Sequence, residues 1–197
     1  MLILSSPSGA GKSSLARALV AQDPRTHLSI SATTRTPRPG EIDGQDYHFL
    51  SKESFNTLVT GEAFLEHATV FQNNYGTLSK EVESYLDKGI DVIFDIDWQG
   101  ATALRKKKPE HVVSIYILPP SMEALKERLI KRSGDNADTI ALRMNQADEE
   151  ISHYHEYDYI VINDDFTKAL AEVQSILNAE RSNRVRMDRL EGFVKAL

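Results

Sequence analysis

The chain is 197 residues long, 41% hydrophobic and 26% charged, with a formal net charge of −6 and no cysteine. That length suits one domain with a substantial core and leaves room for inserted subdomains. The absence of cysteine excludes disulfides, thiolate nucleophiles and zinc–thiolate centres, and the acidic balance argues against nucleic acid or anionic membrane as partners, so an anionic ligand must be held by a local basic site. No apolar run reaches the ~18 residues of a membrane span, and "MLIL" is too short for a signal segment, so the cytoplasm is the expected compartment.

The first predicted element is a buried strand, "LIL" (2–4). A loop follows at once, "SSPSGAGKSS", which satisfies the second half of G-x-x-x-x-G-K-[ST] but has Ser6 where the first glycine belongs. Gly9 and Gly11 let the backbone turn its N–H groups inward around phosphate oxygens, and the helix start adds positive potential. Lys12 can then bridge the β- and γ-phosphates of a nucleotide, and the Ser13 hydroxyl can ligate Mg²⁺, an arrangement that a hydrolase switch and a small-molecule kinase share. Ser6 is acceptable if its φ stays negative. The helix that opens here carries Leu15, Ala16, Ala18 and Leu19 as its apolar face.

Residues 33–50, "TTRTPRPGEIDGQDYHFL", have no helical period. Arg35 and Arg38, three apart among hydroxyls, can form a fork for a dianionic phosphate, with Tyr47 as a further donor. "YHFL" and "FLEHATVF" read as an antiparallel patch in an inserted β-rich lobe. Glu66 lies inside that otherwise apolar strand, an expensive place for an unpaired carboxylate.

"VIFDI" (92–96), "VVSIYIL" (112–118) and "YIVI" (159–162) are consecutive apolar runs, which suit a parallel sheet covered on both faces. The first ends in "DIDWQG". Asp95 and Asp97, two apart, are expected on one side of the strand, at the end where open α/β sheets bind ligands; the alternative is that they cap the next helix. "RKKKP" (105–109) reads as a solvated helix end stopped by proline. Ser121 is placed to cap a helix bearing Met122, Leu125 and Leu129, and Leu170, Val173 and Leu177 mark another. "RSGDN" (132–136) with a polar helix after it looks like a mobile flap. His153 and His155 show no ligand spacing. The strand–helix alternation makes the fold α/β with right-handed crossovers.

Seven segments taken together, "PSGAGKSSL", "SATTRTPRPGEIDGQDYHF", "FLEHATVF", "NYGT", "DIDWQG", "ILPPS" and "IVINDD", resemble the guanylate kinases in order and spacing over nearly the whole chain. The resemblance implies the P-loop nucleoside monophosphate kinase fold: a parallel sheet core (1–32, 90–131 and 151–197), a β-rich GMP-binding insertion (33–89) and a mobile lid (132–150). It implies transfer of phosphate from ATP, with Mg²⁺, to GMP, leaving dGMP open as a second acceptor. Ser8, Gly9, Ala10, Gly11, Lys12, Ser13 and Ser14 match the ATP loop, and Asn163 a position near the adenine. Ser31, Arg35, Arg38, Tyr47 and Tyr75 match residues around the GMP phosphate. Glu66, Thr77 and Asp97 match readers of the guanine edge, and Arg132 and Arg143 match lid arginines. Asp95 is expected near the magnesium waters.

The sequence departs from the family at Ser6, at Ala32 (some members have serine), at Asn74 (often tyrosine) and at Ser133 (typically glycine). None of these removes a charged group that does chemistry. Two other readings remain: a kinase of a sugar phosphate on the same scaffold, and a non-catalytic binding module of this fold. Glu66, Thr77 and Asp97 argue against the first, since a ribosyl phosphate has no purine edge. The intact Lys12 and Ser13, in a chain without room for further domains, argue against the second. The tail "RSNRVRMDRLEGFVKAL" can extend the last helix or mediate assembly into a homo-oligomer.

Overall fold

The computed structural model describes residues 1–70, 72–131, 137–187 and 190–197. In chain order the first elements are β1 (Leu2–Ser5), α1 (Lys12–Gln22), β2 (Thr26–Leu28), β3 (Ala32–Thr33), β4 (His48–Phe49) and α2 (Lys52–Thr60). They are followed by β5 (Phe64–Val70), β6 (Asn73–Leu78), α3 (Ser79–Leu86), β7 (Asp91–Asp95), α4 (Trp98–Lys107) and β8 (Val113–Leu118). The remainder is α5 (Met122–Lys131), α6 (Ala137–Ser152), β9 (Tyr159–Ile162), α7 (Phe166–Arg181) and α8 (Leu190–Lys195).

The core is a five-stranded parallel sheet in the order β2-β7-β1-β8-β9. Its consecutive apolar residues go to opposite faces, as the pleat dictates. Leu2, Leu4, Ile115 and Val161 pack under Leu15 and Leu19 of α1 and Val173 of α7. Ile3, Phe94 and Tyr116 pack under Val82 of α3 and Ala101 and Leu104 of α4. Both faces are covered, which explains why these strands show no polar alternation. Among the described residues no helix is long and apolar enough to cross a membrane.

A second sheet, ordered β4-β3-β6-β5, forms the inserted lobe around Ala32, Phe55 and Phe64. Here the expected pairing is corrected. β4 and β5 lie at opposite edges, β4 pairing parallel with β3 and β5 antiparallel with β6. Strand β6 ("NNYGTL") is half polar and offered no apolar signature. β2, α2 and α3 were also not foreseen; β2 is a three-residue edge strand whose polar Thr26 and His27 hide it.

Ser121 caps α5 as expected, its Oγ accepting from Ala124 N at 3.1 Å. Asp97 does not continue β7. The strand stops at Asp95, and Asp97 becomes the N-cap of α4, accepting from Gly100 N at 3.1 Å. The basic run does end α4, but it is not merely solvated: Arg105 pairs with Glu156 at 3.0 Å, and Lys107 bonds to β5. The tail does not extend α7, which ends at Arg181 before a 3₁₀ turn at Arg184–Arg186.

Candidate active site

The loop between β1 and α1 turns on two glycines in the left-handed region, Gly9 (φ 96°) and Gly11 (φ 99°). Each is held there by sterics as well as by φ. A Cβ on Gly11 would lie 2.3 Å from Asn163 Nδ2, and one on Gly9 2.9 Å from Leu129 Cδ2. Ser6 is not among the residues with positive φ, so the substitution at the first glycine carries no left-handed backbone strain. Gly11 is the N-cap of α1 and supplies no side-chain acceptor, and the first turn has no acidic residue. The orphan N–H groups of that turn are thus left for an anion.

Lys12 reaches across the loop to Asp95 Oδ1 (2.5 Å) and the carbonyl of Ile96 (3.1 Å). Burial opposes the charge on both partners, but each outweighs it for the other. The Lys12 ammonium is held above its ordinary range and the Asp95 carboxyl below its own, with Ser13 also bonded to Asp95. From the far side, α6 brings two groups to Ser8. Glu150 Oε2 accepts from Ser8 N at 3.0 Å, and Arg143 Nη1 donates to Ser8 Oγ at 3.2 Å. Burial raises the Glu150 carboxyl. An incoming phosphate must therefore displace a carboxylate from one loop N–H.

Lys12, Ser13, Ser14, Ser31, Arg38, Tyr47, Glu66, Tyr75, Asp95, Asp97 and Arg143 line one cleft of about 530 Å³ together with Ser8, Gly9 and Gly11. Four predicted site residues stand behind its wall. Ala10 is buried, and its carbonyl accepts from Asn163 Nδ2 at 2.8 Å, so Asn163 fastens the loop rather than facing the opening. Arg35 is bound to Glu41 (2.8 Å) and lies over the Tyr47 ring, while Arg38 gives only its backbone N–H to the same Glu41. The expected two-arginine fork is thus not formed in this state, because Glu41 takes one arm. Thr77 is buried and donates to Glu66 Oε1 at 2.6 Å, so its proton orients the carboxylate and is not free for a ligand carbonyl. Arg132 lies outside the described residues.

Glu66 is the electrostatic anomaly of the cleft. It is 5% exposed, and burial pushes its carboxyl up to about 7, against the Thr77 hydrogen bond and with help from Asp97. Sequence reasoning missed Arg128, which donates to the carbonyls of Asn163 (2.8 Å) and Ala10, and Glu150. The spacing of Glu150 from Arg143, i to i+7 on one helix, is a signal that could have paired them.

A family model described as Guanylate kinase matches residues 1–180. The chain is similar to the guanylate kinase of Maricaulis maris, 51% identical over 197 residues that span 100% of this chain and 90% of that protein. It is 56% identical to the guanylate kinase of Haemophilus influenzae over 184 residues, 92% of this chain and 88% of that protein. The crystal structure of guanylate kinase from Anaplasma phagocytophilum matches with a TM-score of 0.84 at 37% identity, covering 100% of this chain and 93% of that one.

Proposed function

Because the chain belongs to the guanylate kinase family, we propose that its cleft transfers the γ-phosphoryl group of ATP to GMP, giving ADP and GDP. The observation that carries this reading is the union, in one cleft, of a phosphate loop with Lys12 and two carboxylates, the buried Glu66 and the half-buried Asp97. Guanine offers N1–H and the N2 amine as donors, which a carboxylate accepts. Adenine offers an unprotonated N1 to the same group and leaves it unpaired.

No general base is required. The attacking GMP phosphate, with a second pKa of about 6, is already mostly dianionic at neutral pH. Lys12, Arg143 and Arg38 align and neutralise the phosphates. The donor set suits Mg²⁺ as well: Ser13 and Asp95 would hold the ion, both offering the hard oxygen atoms that it prefers. Among the described residues no group of three or more acids or histidines forms a cage, which fits an ion held mainly by phosphates and water. When bound, Mg²⁺ neutralises charge on the transferring phosphoryl group. A coupled ADP-release assay with ATP against GMP, dGMP, AMP, CMP, UMP and ribose phosphates tests the reading. Turnover of AMP or of a ribose phosphate at the rate of GMP overturns it.

Two further outcomes are expected. Replacing Arg38 with Met should weaken GMP but spare guanosine, since the guanidinium meets only phosphate. A charge-assisted hydrogen bond of about 1.5–3 kcal/mol implies roughly ten- to a hundredfold. Arg35→Met should show the same selectivity once Glu41 releases that guanidinium. Equal losses for GMP and guanosine in calorimetry would make either arginine structural.

The second outcome concerns pH. Glu66 must be ionised to accept from guanine, yet in the free protein it titrates at about 7 instead of the ordinary 4.5. Guanosine affinity should therefore be level above about pH 7 and fall roughly tenfold per unit below it, and Glu66→Gln should flatten the profile. Stability runs the opposite way. A carboxyl raised in the folded state stabilises it below the unfolded value, and that contribution is lost as pH rises through 7. Thermal unfolding of wild type and Glu66→Gln across that range checks the sign.

A further inference from the structure

Helix α4 belongs to the core, yet its Lys107 and Gly100 meet the inserted lobe around Glu66. Lys107 Nζ donates to the carbonyl oxygens of Phe64 (3.2 Å) and Leu65 (3.1 Å). Those carbonyls belong to a bulge: Phe64 faces Leu78 while Glu66 faces Thr77, so Leu65 is the extra residue. In an unbroken strand Glu66 would share the face of Phe64, toward the lobe's own core. The bulge cancels that alternation, and three successive side chains are buried in three places. Phe64 stacks on Phe55, with centroids 4.6 Å apart; Leu65 packs with Ile3, Val92 and Phe94 of the core; Glu66 lines the cleft.

One turn into the same helix, Gly100 makes room for the result. Its N–H holds Asp97 Oδ1 at 3.1 Å. A Cβ at this position would lie 2.7 Å from Glu66 Oε2 and 3.4 Å from Asp97 Oδ1. Glycine is a poor helix former, and here the space is occupied by a carboxylate.

We propose that Lys107 and Gly100 are positioning residues for base recognition: Lys107 clamps the bulge that turns Glu66 into the cleft, and Gly100 leaves the gap in which its carboxylate sits beside Asp97. The proposal rests on the reading of Glu66 as the acceptor of guanine N1–H. Lys107 is as exposed as Lys106 and Lys108, and what separates it from them is its pair of bonds to the bulge, while Arg105 is engaged with Glu156.

The test compares guanosine and ADP affinities, by NMR titration and calorimetry, in wild type, Lys107→Met, Lys107→Arg and Gly100→Ala. Lys107→Met should weaken guanosine about tenfold, the loss of charge-assisted bonds to the bulge, with ADP unchanged. Lys107→Arg should restore most of the loss. Gly100→Ala should weaken guanosine at least as much and spare ADP; alanine favours the helix, so a folding failure of the lysine variant leaves this arm intact. Wild-type guanosine affinity in both Lys107→Met and Gly100→Ala overturns the proposal, as do equal losses for guanosine and ADP. Wild type that binds guanosine no better than adenosine overturns the base reading itself, before any variant is compared.

Discussion

Lys12→Ala is expected to lower the rate of phosphoryl transfer by about 10³-fold or more, because catalysis here is charge neutralisation and alignment with no covalent step to share the work. GMP binding should survive, since Lys12 belongs to the proposed donor loop and the proposed base and phosphate readers of the acceptor stand on other elements of the cleft. The structure adds a complication. Lys12 is also the partner of Asp95, at 2.5 Å, and removing it strands a largely buried carboxylate. Such a loss can cost about 3–5 kcal/mol of stability. Asp95→Asn in the same chain removes that charge, so Lys12→Ala/Asp95→Asn should regain the melting temperature without regaining turnover. Calorimetry on the folded variants decides the assignment. If GMP affinity drops as far as turnover does, Lys12 does not belong to a separate donor site.

The phosphate loop was legible because its chemistry is local. Two glycines, a lysine and a hydroxyl lie within five residues, next to a strand whose apolar run marks it as buried. Glu66 was legible for a different reason: a carboxylate in an apolar strand is costly, and the structure shows the cost as a carboxyl raised to about 7. Neither argument reaches contacts made at long range. Glu150 and Arg128 meet the loop from α6 and α5, through pairings 142 and 118 residues apart in sequence. Within α6 the spacing of Glu150 from Arg143 pairs the two, but nothing in either segment alone says that it meets the loop.

The inserted lobe was misread at the level of pairing, and the bulge explains part of it. A single extra residue, Leu65, puts apolar side chains on both faces of β5 and erases the alternation by which its partner could be inferred. The two aspartates show the limit of periodicity in the same way. Their spacing suited one face of a strand, but the side chain of Asp97 satisfies a helix N–H, and capping ended the strand two residues early. Both aspartates line the cleft, Asp95 held by Lys12 and Asp97 by the cap it makes.

How Glu66 and Asp97 would divide the base between them under the proposed reading is the remaining question, and inosine monophosphate is the probe. It keeps N1–H and O6 and lacks only the exocyclic amine. Wild type should use it with kcat/KM lowered by about 10²-fold or more, because a carboxylate built to accept the amine is left under-bonded. Asp97→Asn should reduce GMP use sharply and inosine monophosphate use less, narrowing the gap. The substitution is mild for the fold, since an asparagine oxygen can still accept from Gly100 N as the helix cap. Glu66→Gln should harm both nucleotides, since N1–H is common to them and the amide loses the charge that Thr77 orients at 2.6 Å. Steady-state kinetics of three proteins with two nucleotides gives the answer. Equal use of both nucleotides by wild type would mean that neither carboxylate reads the amine. A larger gap in Asp97→Asn would move that role to Glu66.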